Sequence, residues 1–200
     1  MAIKALGLKG EIITTPFTWI ATVSAIKWEG CTPVFCDIDP KTFNMDTSLI
    51  EAAITPNTKA IMPVHLYGNV CDMDAINAFA AAHGLYVIED NAEAYGGSYK
   101  GKKTGTLGHV AACSFCQNKT FTTGGEGGML TTNSDKLIQQ ARKLRNHGMD
   151  STRHYWHDEV GFNYRLTNVQ AAIGVAQMER FDEITSKRQQ VFDWYRERLS

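Results

Sequence analysis

The alternation of short β-prone runs with helical stretches constrains this chain more than any other feature. Glu11-Ile12-Ile13-Thr14-Thr15 reads as a strand stopped by Pro16, and Ile20 to Trp28 as a helix ending at Gly30. Pro33 to Ile38 is a second strand, Leu49 to Ile54 a short helix capped by Asp46, Thr47 or Ser48, and Ala60 to Val64 a third strand whose tail Pro63 weakens. Asp74 to His83 is an Ala-rich helix closed by Gly84. Leu85-Tyr86-Val87-Ile88 is a continuous apolar run, the pattern of a strand covered on both faces. Val110 to Phe115 and Gly128 to Thr132 are further strands around a Gly-rich loop, and Leu137 to Leu144, Asn168 to Arg180 and Ile184 to Leu199 are helical. Strands and helices in alternation imply an α/β fold with a mostly parallel sheet flanked by helices.

Composition narrows the function. Lys+Arg 20 against Asp+Glu 21 gives a formal charge of -1, without the basic excess of a nucleic-acid or anionic-membrane binder. No apolar run reaches the roughly 18 residues of a bilayer span, and Met1 to Leu6 lacks the apolar core of an export signal. A cytoplasmic protein is the expectation. Five scattered cysteines (Cys31, Cys36, Cys71, Cys113, Cys116) fit reduced thiols. Cys113-x-x-Cys116 has no second pair at zinc-ribbon spacing, and His154-x-x-His157 lies in no clear helical pattern, so no metal site is expected.

In an open α/β sheet, ligands bind beyond the carboxyl ends of the strands. Three polar features fall there. Asp90 follows the strand Leu85–Glu89, as a ligand-facing carboxylate or as a helix cap. Lys119 lies between a strand and Thr122-Thr123-Gly124-Gly125-Glu126-Gly127-Gly128. That stretch is neither a Walker loop nor a G-x-G-x-x-G fingerprint, which disfavours a dinucleotide-binding enzyme, but its glycines allow close backbone approach and positive φ. Gly161-Phe162-Asn163-Tyr164-Arg165 precedes a helical run, where Asn163 or Arg165 caps the helix or meets an anion.

Taken together and in order, these segments resemble the DegT/DnrJ/EryC1/StrS family of pyridoxal-phosphate (PLP) aminotransferases. The resemblance runs through Pro16–Thr22, Pro33–Asp39, Glu89–Ala94, Ser114-Phe115…Lys119, Thr122–Gly128 and Gly161–Thr167. It implies the aspartate aminotransferase-like (type I) fold, a large domain with a mixed, mostly parallel central sheet, and a homodimer with a shared active site. Lys119 matches the lysine that forms the Schiff base with the cofactor, and Asp90 the carboxylate that pairs with the pyridinium nitrogen and keeps the ring an electron sink. Trp19 matches the aromatic residue stacked on the ring, Ser114 a phosphate-binding hydroxyl, and Asn163 the asparagine that reaches the phosphate from the neighbouring subunit. His65 and His147 lie in matching segments. Glu93 stands where many members carry Gln or His; a carboxylate there repels the cofactor's phenolic oxygen unless protonated or turned away.

The resemblance further implies transfer of an amino group from an amino acid, glutamate foremost, to a nucleotide-linked keto sugar. A lysine at 119 favours transamination over the family's dehydrase branch, which has histidine there. The alternative is a non-catalytic regulatory or assembly module, against which the Asp90 and Lys119 pair argues. Residues 1–200 correspond to the PLP-binding large domain. The N-terminal phosphate-binding segment and the C-terminal small domain are absent from the 200 residues, so this piece alone is expected to bind cofactor weakly and turn over little.

Overall fold

The computed structural model describes residues 1–199. They form two compact units: Met1–Cys113 with Leu130–Arg165, and Ser114–Met129 with the residues from Leu166 on. In chain order the elements are α1 (Ala2–Ala5), β1 (Glu11–Thr14), α2 (Ile20–Trp28), β2 (Thr32–Phe35), α3 (Ile50–Ala53), β3 (Thr58–Met62), α4 (Met73–His83), β4 (Tyr86–Asp90), β5 (Ser98–Tyr99), β6 (Lys102–Lys103), β7 (Val110–Ser114), β8 (Gly128–Thr131), α5 (Asp135–Arg145), α6 (Asn168–Glu179) and α7 (Phe181–Leu199). The main sheet runs β2-β1-β3-β4-β7-β8, and β5 and β6 form a separate antiparallel hairpin. Pairing is parallel from β2 through β7.

Successive side chains of a strand point to opposite faces, and a parallel sheet is covered on both. In the first unit Ile12 and Ile13 are fully buried in different clusters. Ile12, Ala60, Met62 and Ile88 pack with Ile3 of α1, Ile26 of α2 and Leu137 of α5. Ile13, Ile61 and Val87 pack with Ile50 of α3 and Met73, Ile76 and Ala80 of α4. Each such side chain contributes about 1.5–3 kcal/mol by leaving water. Within the apolar run Leu85–Ile88, Leu85 and Val87 join one cluster and Ile88 the other, while Tyr86 is exposed.

Most expected elements form within one or two residues of their sequence limits, and local chemistry explains the offsets. α4 starts one residue early, at Met73, because Asp72 accepts the Ala75 N–H at 3.2 Å and caps the helix. It ends at Gly84 in the left-handed conformation. The 49–54 segment is a 3-10 turn at Thr47–Leu49 leading into α3, with Asp46 as cap. The β5–β6 hairpin was not legible in the sequence, having only two residues per strand.

In the second unit, Phe115 and Phe121 pack edge to face at 4.6 Å, and Phe181 at the start of α7 lies 6.4 Å from Phe121. Gly174, the one buried residue of α6, lies against this cluster: a Cβ there would stand 3.2 Å from Thr123 Cγ2 and 3.5 Å from Phe121 Cζ. Thr167 and Gln170 form a capping box at the start of α6. Asn163 and Arg165 therefore do not cap that helix, contrary to one of the two sequence readings. No helix among the described residues is long and apolar enough to cross a membrane.

Candidate active site

The first unit places Asp90 at the carboxyl end of β4. Its backbone is tied to the strand-following segment of β3: Asp90 N–H donates to Pro63 O at 2.9 Å, and His65 N–H to Asp90 O at 3.2 Å. No helix starts at Asp90, so the capping reading fails; its Oδ1 accepts the nearby Ala92 N–H, at 3.2 Å. Its Oδ2 accepts from Thr22 Oγ1 at 2.7 Å, and Thr22 Oγ1 is 2.9 Å from Thr18 Oγ1. Burial pushes the Asp90 carboxyl up from the usual range, against the opposing effect of the Thr22 and Ala92 hydrogen bonds. Trp19 sits inside this relay, between Thr18 and Thr22 in sequence. It precedes the first turn of α2 and is 74% exposed. Sequence reasoning missed Thr22. Thr18 lies before α2 and Thr22 in its first turn, so no helical spacing announced the pair.

Glu89, next to Asp90, is fully buried and has a separate task. Its Oε1 accepts the N–H groups of Leu107 and Gly108, both at 2.6 Å, and its Oε2 accepts Gly105 N–H at 2.8 Å and faces His65 Nε2 at 3.2 Å. Burial works to raise this carboxyl, but the hydrogen bonds from His65, Gly108 and Gly105 outweigh it and hold it below the ordinary value. His65 Nδ1 accepts the Cys71 N–H at 3.3 Å, which leaves the ring proton on Nε2, facing Glu89. His65 is therefore a buried histidine bound to Glu89 and the Cys71 backbone.

Glu93 Oε2 accepts the backbone N–H of Tyr67 at 2.7 Å. Tyr67 has φ 53, a left-handed conformation that costs a non-glycine residue about 1–2 kcal/mol. Asn163 lies on the loop that follows α5. Its Oδ1 accepts from Arg165 Nε at 3.2 Å, and Arg165 Nη2 is 3.3 Å from His147 Nε2. The loop closes on glycines: a Cβ on Gly148 would lie 2.0 Å from Glu159 O, and one on Gly161 2.1 Å from Gly148 N. His147 is thus part of the Asn163–Arg165 cluster, which the sequence did not reveal.

The second unit holds Ser114 and Lys119. Ser114 ends β7, and its Oγ accepts Cys116 N–H at 3.4 Å. Lys119 is half-buried; its N–H donates to Cys116 O at 3.0 Å, and its carbonyl accepts from Arg188 Nη2 at 3.2 Å. The segment from Phe115 to Gly127 folds back on itself through Phe115 N–H to Gly127 O, 2.8 Å, and Thr123 N–H to Phe115 O, 3.1 Å. The glycines act as their sequence suggested. Gly124 has φ +79, and a Cβ on Gly127 would fall 2.2 Å from Thr123 Oγ1.

The cysteines are free, four of them buried. Burial pushes the thiol of Cys36 up to about 11 and that of Cys71 up to about 12. His154-x-x-His157 is not helical, and His157 Nδ1 lies 3.2 Å from His147 O. Among the described residues no three His, Cys, Asp or Glu side chains converge to hold a metal ion.

Comparison with known proteins gives these groups a context. The chain is 54% identical over 202 residues to the GDP-perosamine synthase of Caulobacter vibrioides, covering 100% of this chain and 54% of that protein. It is 47% identical over 186 residues to the UDP-2-acetamido-2-deoxy-3-oxo-D-glucuronate aminotransferase of Pseudomonas aeruginosa, covering 93% of this chain and 51% of that one. The crystal structure of NtdA from Bacillus subtilis with bound cofactor PMP superposes with a TM-score of 0.84 at 35% identity, covering 90% of this chain and 41% of NtdA. The chain thus spans about half the length of the curated relatives it matches. Its residues 1–200 match one family throughout, and the chain belongs to the DegT/DnrJ/EryC1/StrS aminotransferase family.

Proposed function

We propose that the protein containing this chain is a PLP-dependent aminotransferase that moves an amino group between an amino acid, glutamate foremost, and a nucleotide-linked keto sugar. Residues 1–200 are its cofactor-binding large domain, in keeping with their spanning about half of the relatives. The observation that carries the reading is Asp90. It is a carboxylate at the end of a central strand, raised by burial and held by hydroxyl and amide donors. Among the described residues no lysine or arginine pairs with it. The cationic ring nitrogen of PLP is the partner that favours its charged form, so the donor set fits the cofactor.

When bound, PLP supplies an electron sink that lets the Cα–H bond of an amino acid ionise. The chain's own residues do the rest. Asp90, oriented by Thr22, holds a proton on the ring nitrogen. Trp19 offers its exposed indole as a flat apolar surface for the ring. Ser114 and Asn163 hold the phosphate, Asn163 from a second subunit. Lys119 contributes the amine that anchors the cofactor and then carries the proton at the reacting carbon. The exposed Phe192, Trp194 and Tyr195 of α7 support burial against a second copy in a homodimer. A cytoplasmic location fits this reading.

The test uses the full-length protein with PLP. GDP-perosamine and 2-oxoglutarate are supplied, and glutamate formation is followed together with the cofactor's visible absorbance. Glutamate should form, and Lys119→Ala should abolish both turnover and the lysine-dependent absorbance band. A band unchanged in Lys119→Ala would remove the lysine from its role, and a wild-type protein without any such band would remove PLP.

A further inference from the structure

Beyond Met62 the chain continues along β4 through Pro63 and His65, then reverses at Leu66–Gly68. Two consecutive residues of this turn have positive φ, Tyr67 at 53 and Gly68 at 85. The glycine adopts this freely; the tyrosine does not. The turn is held from two sides. The buried Asn44 accepts Leu66 N–H on its Oδ1 at 3.2 Å and donates to Asn69 O from its Nδ2 at 3.1 Å. On the other side Glu93 Oε2 accepts Tyr67 N–H at 2.7 Å, and the Glu93 carbonyl lies 3.7 Å from where a Cβ on Gly68 would stand. The held residue does not use its ring for the core: Tyr67 is 76% exposed. Two residues before it, His65 N–H donates to Asp90 O at 3.2 Å, so the turn follows directly on the pairing with the end of β4.

A strained turn clamped by two polar side chains, presenting an aromatic ring outward beside the strand end, is arranged for the ring's contact with something outside the unit. We propose that Glu93 is a positioning residue that fixes the Tyr67 turn, and that the Tyr67 ring forms a wall of the substrate site contacting the sugar of the nucleotide-linked substrate. This rests on the proposed aminotransferase reading. A tyrosine suits a hexose because it offers an apolar face for ring C–H groups and one hydroxyl for a polar edge. The role differs from direct contact of residue 93 with the cofactor oxygen, because it needs only an acceptor oxygen at this position. Glutamine supplies one and alanine does not.

The experiment compares full-length wild type, Glu93→Gln, Glu93→Ala and Tyr67→Ala. Hydrogen exchange at the Tyr67 amide is read first and needs neither cofactor nor substrate. Protection should be kept in Glu93→Gln and fall about tenfold or more in Glu93→Ala. Equal exchange in these three proteins overturns the proposal. The two half-reactions are then measured separately. Tyr67→Ala and Glu93→Ala should raise KM for GDP-perosamine about tenfold, with the glutamate half-reaction changed less than about twofold and Glu93→Gln close to wild type. If Tyr67→Ala leaves that KM unchanged, the ring does not face the sugar. If Glu93→Gln is as impaired as Glu93→Ala while shifting the pH dependence of the cofactor absorbance, the carboxylate acts on the cofactor and the positioning role is overturned. Failure of the aminotransferase reading looks different: wild type would then show no cofactor band, while the exchange result would still decide the role of Glu93.

Discussion

Thr22 Oγ1 donates a 2.7 Å hydrogen bond to Asp90 Oδ2, joining the first turn of α2 to the end of β4 across 68 residues of sequence. The bond fixes the carboxylate's direction, because its second oxygen is engaged with Ala92 N–H. A carboxyl raised by burial favours the folded protein below the unfolded value, near 4, and loses that contribution as pH rises through the raised value. At neutral pH the cofactor-free protein has therefore lost some of the stability that the protonated carboxyl gives at low pH. Asp90→Asn should raise the Tm of cofactor-free protein at pH 7 and weaken PLP retention by about tenfold or more. Thr22→Val should weaken retention about tenfold, the worth of one hydrogen bond to a charged group, about 1.5 kcal/mol. Retention is read by absorbance after gel filtration; wild-type retention in Asp90→Asn would exclude the pairing with the ring nitrogen.

Glu89 presents the opposite sign. It is hydrogen-bonded by three backbone N–H groups and His65, and its carboxyl is held low. A lowered carboxyl contributes stability above its unfolded value, near 4.5, and loses it as pH falls through the folded value. Glu89→Gln turns an NH2 group toward N–H donors and should cost about 3–5 kcal/mol. Urea titrations across pH 3–8 should show this cost at neutral pH and a shallower acid limb in the variant. A loss under roughly 1 kcal/mol, the scale of an ordinary surface substitution, would mean the cluster is not the anchor its geometry indicates.

The loop carrying Lys119 depends on one close approach. Gly127→Ala places a methyl 2.2 Å from Thr123 Oγ1, so the 115–127 segment has to open. Gly125→Ala meets nothing within 4 Å and serves as the control. The first should diminish the Lys119-dependent absorbance of the full-length protein, and the second should leave it unchanged. Equal spectra for the two variants would show that the fold-back does not set the lysine.

The thiols make a labelling prediction. Cys31, Cys36, Cys71 and Cys113 are buried, and Cys116 is half-buried. The thiolate is the reactive form, and burial raises Cys36 to about 11 and Cys71 to about 12. At pH 8 a maleimide should label Cys116 first, as located by mass spectrometry, with Cys36 and Cys71 reacting only on unfolding. The same shifts imply stability that declines above pH 9, where the unfolded thiols ionise and the folded ones do not. Rapid labelling of Cys71 in the native protein would contradict its burial.

Much of the architecture was legible because it rests on local rules. Apolar runs of four to five residues, Gly84 past α4 and the helical periods each signal their element without long-range information, while the choice of Asp46 over Thr47 and Ser48 as cap came from the structure. The β5–β6 hairpin escaped because a two-residue strand has no period. Asp90 could be singled out, but not its role, since a carboxylate after a strand serves equally as a cap; only the absence of a following helix and the contact with Thr22 separate the two.

The sequence by itself determined the α/β class, the glycine positions that let backbone segments touch, and the order of motifs that marks the family. Each of these depends on neighbours along the chain or on a pattern of residue types. The tertiary structure alone decided what each of two adjacent carboxylates faces. Glu89 and Asp90 are adjacent in sequence, yet one points into a shell of amide donors and the other to a threonine at the start of α2. The alternation of a β-strand sends neighbouring side chains to opposite faces, and what waits on each face is supplied by segments distant in the chain.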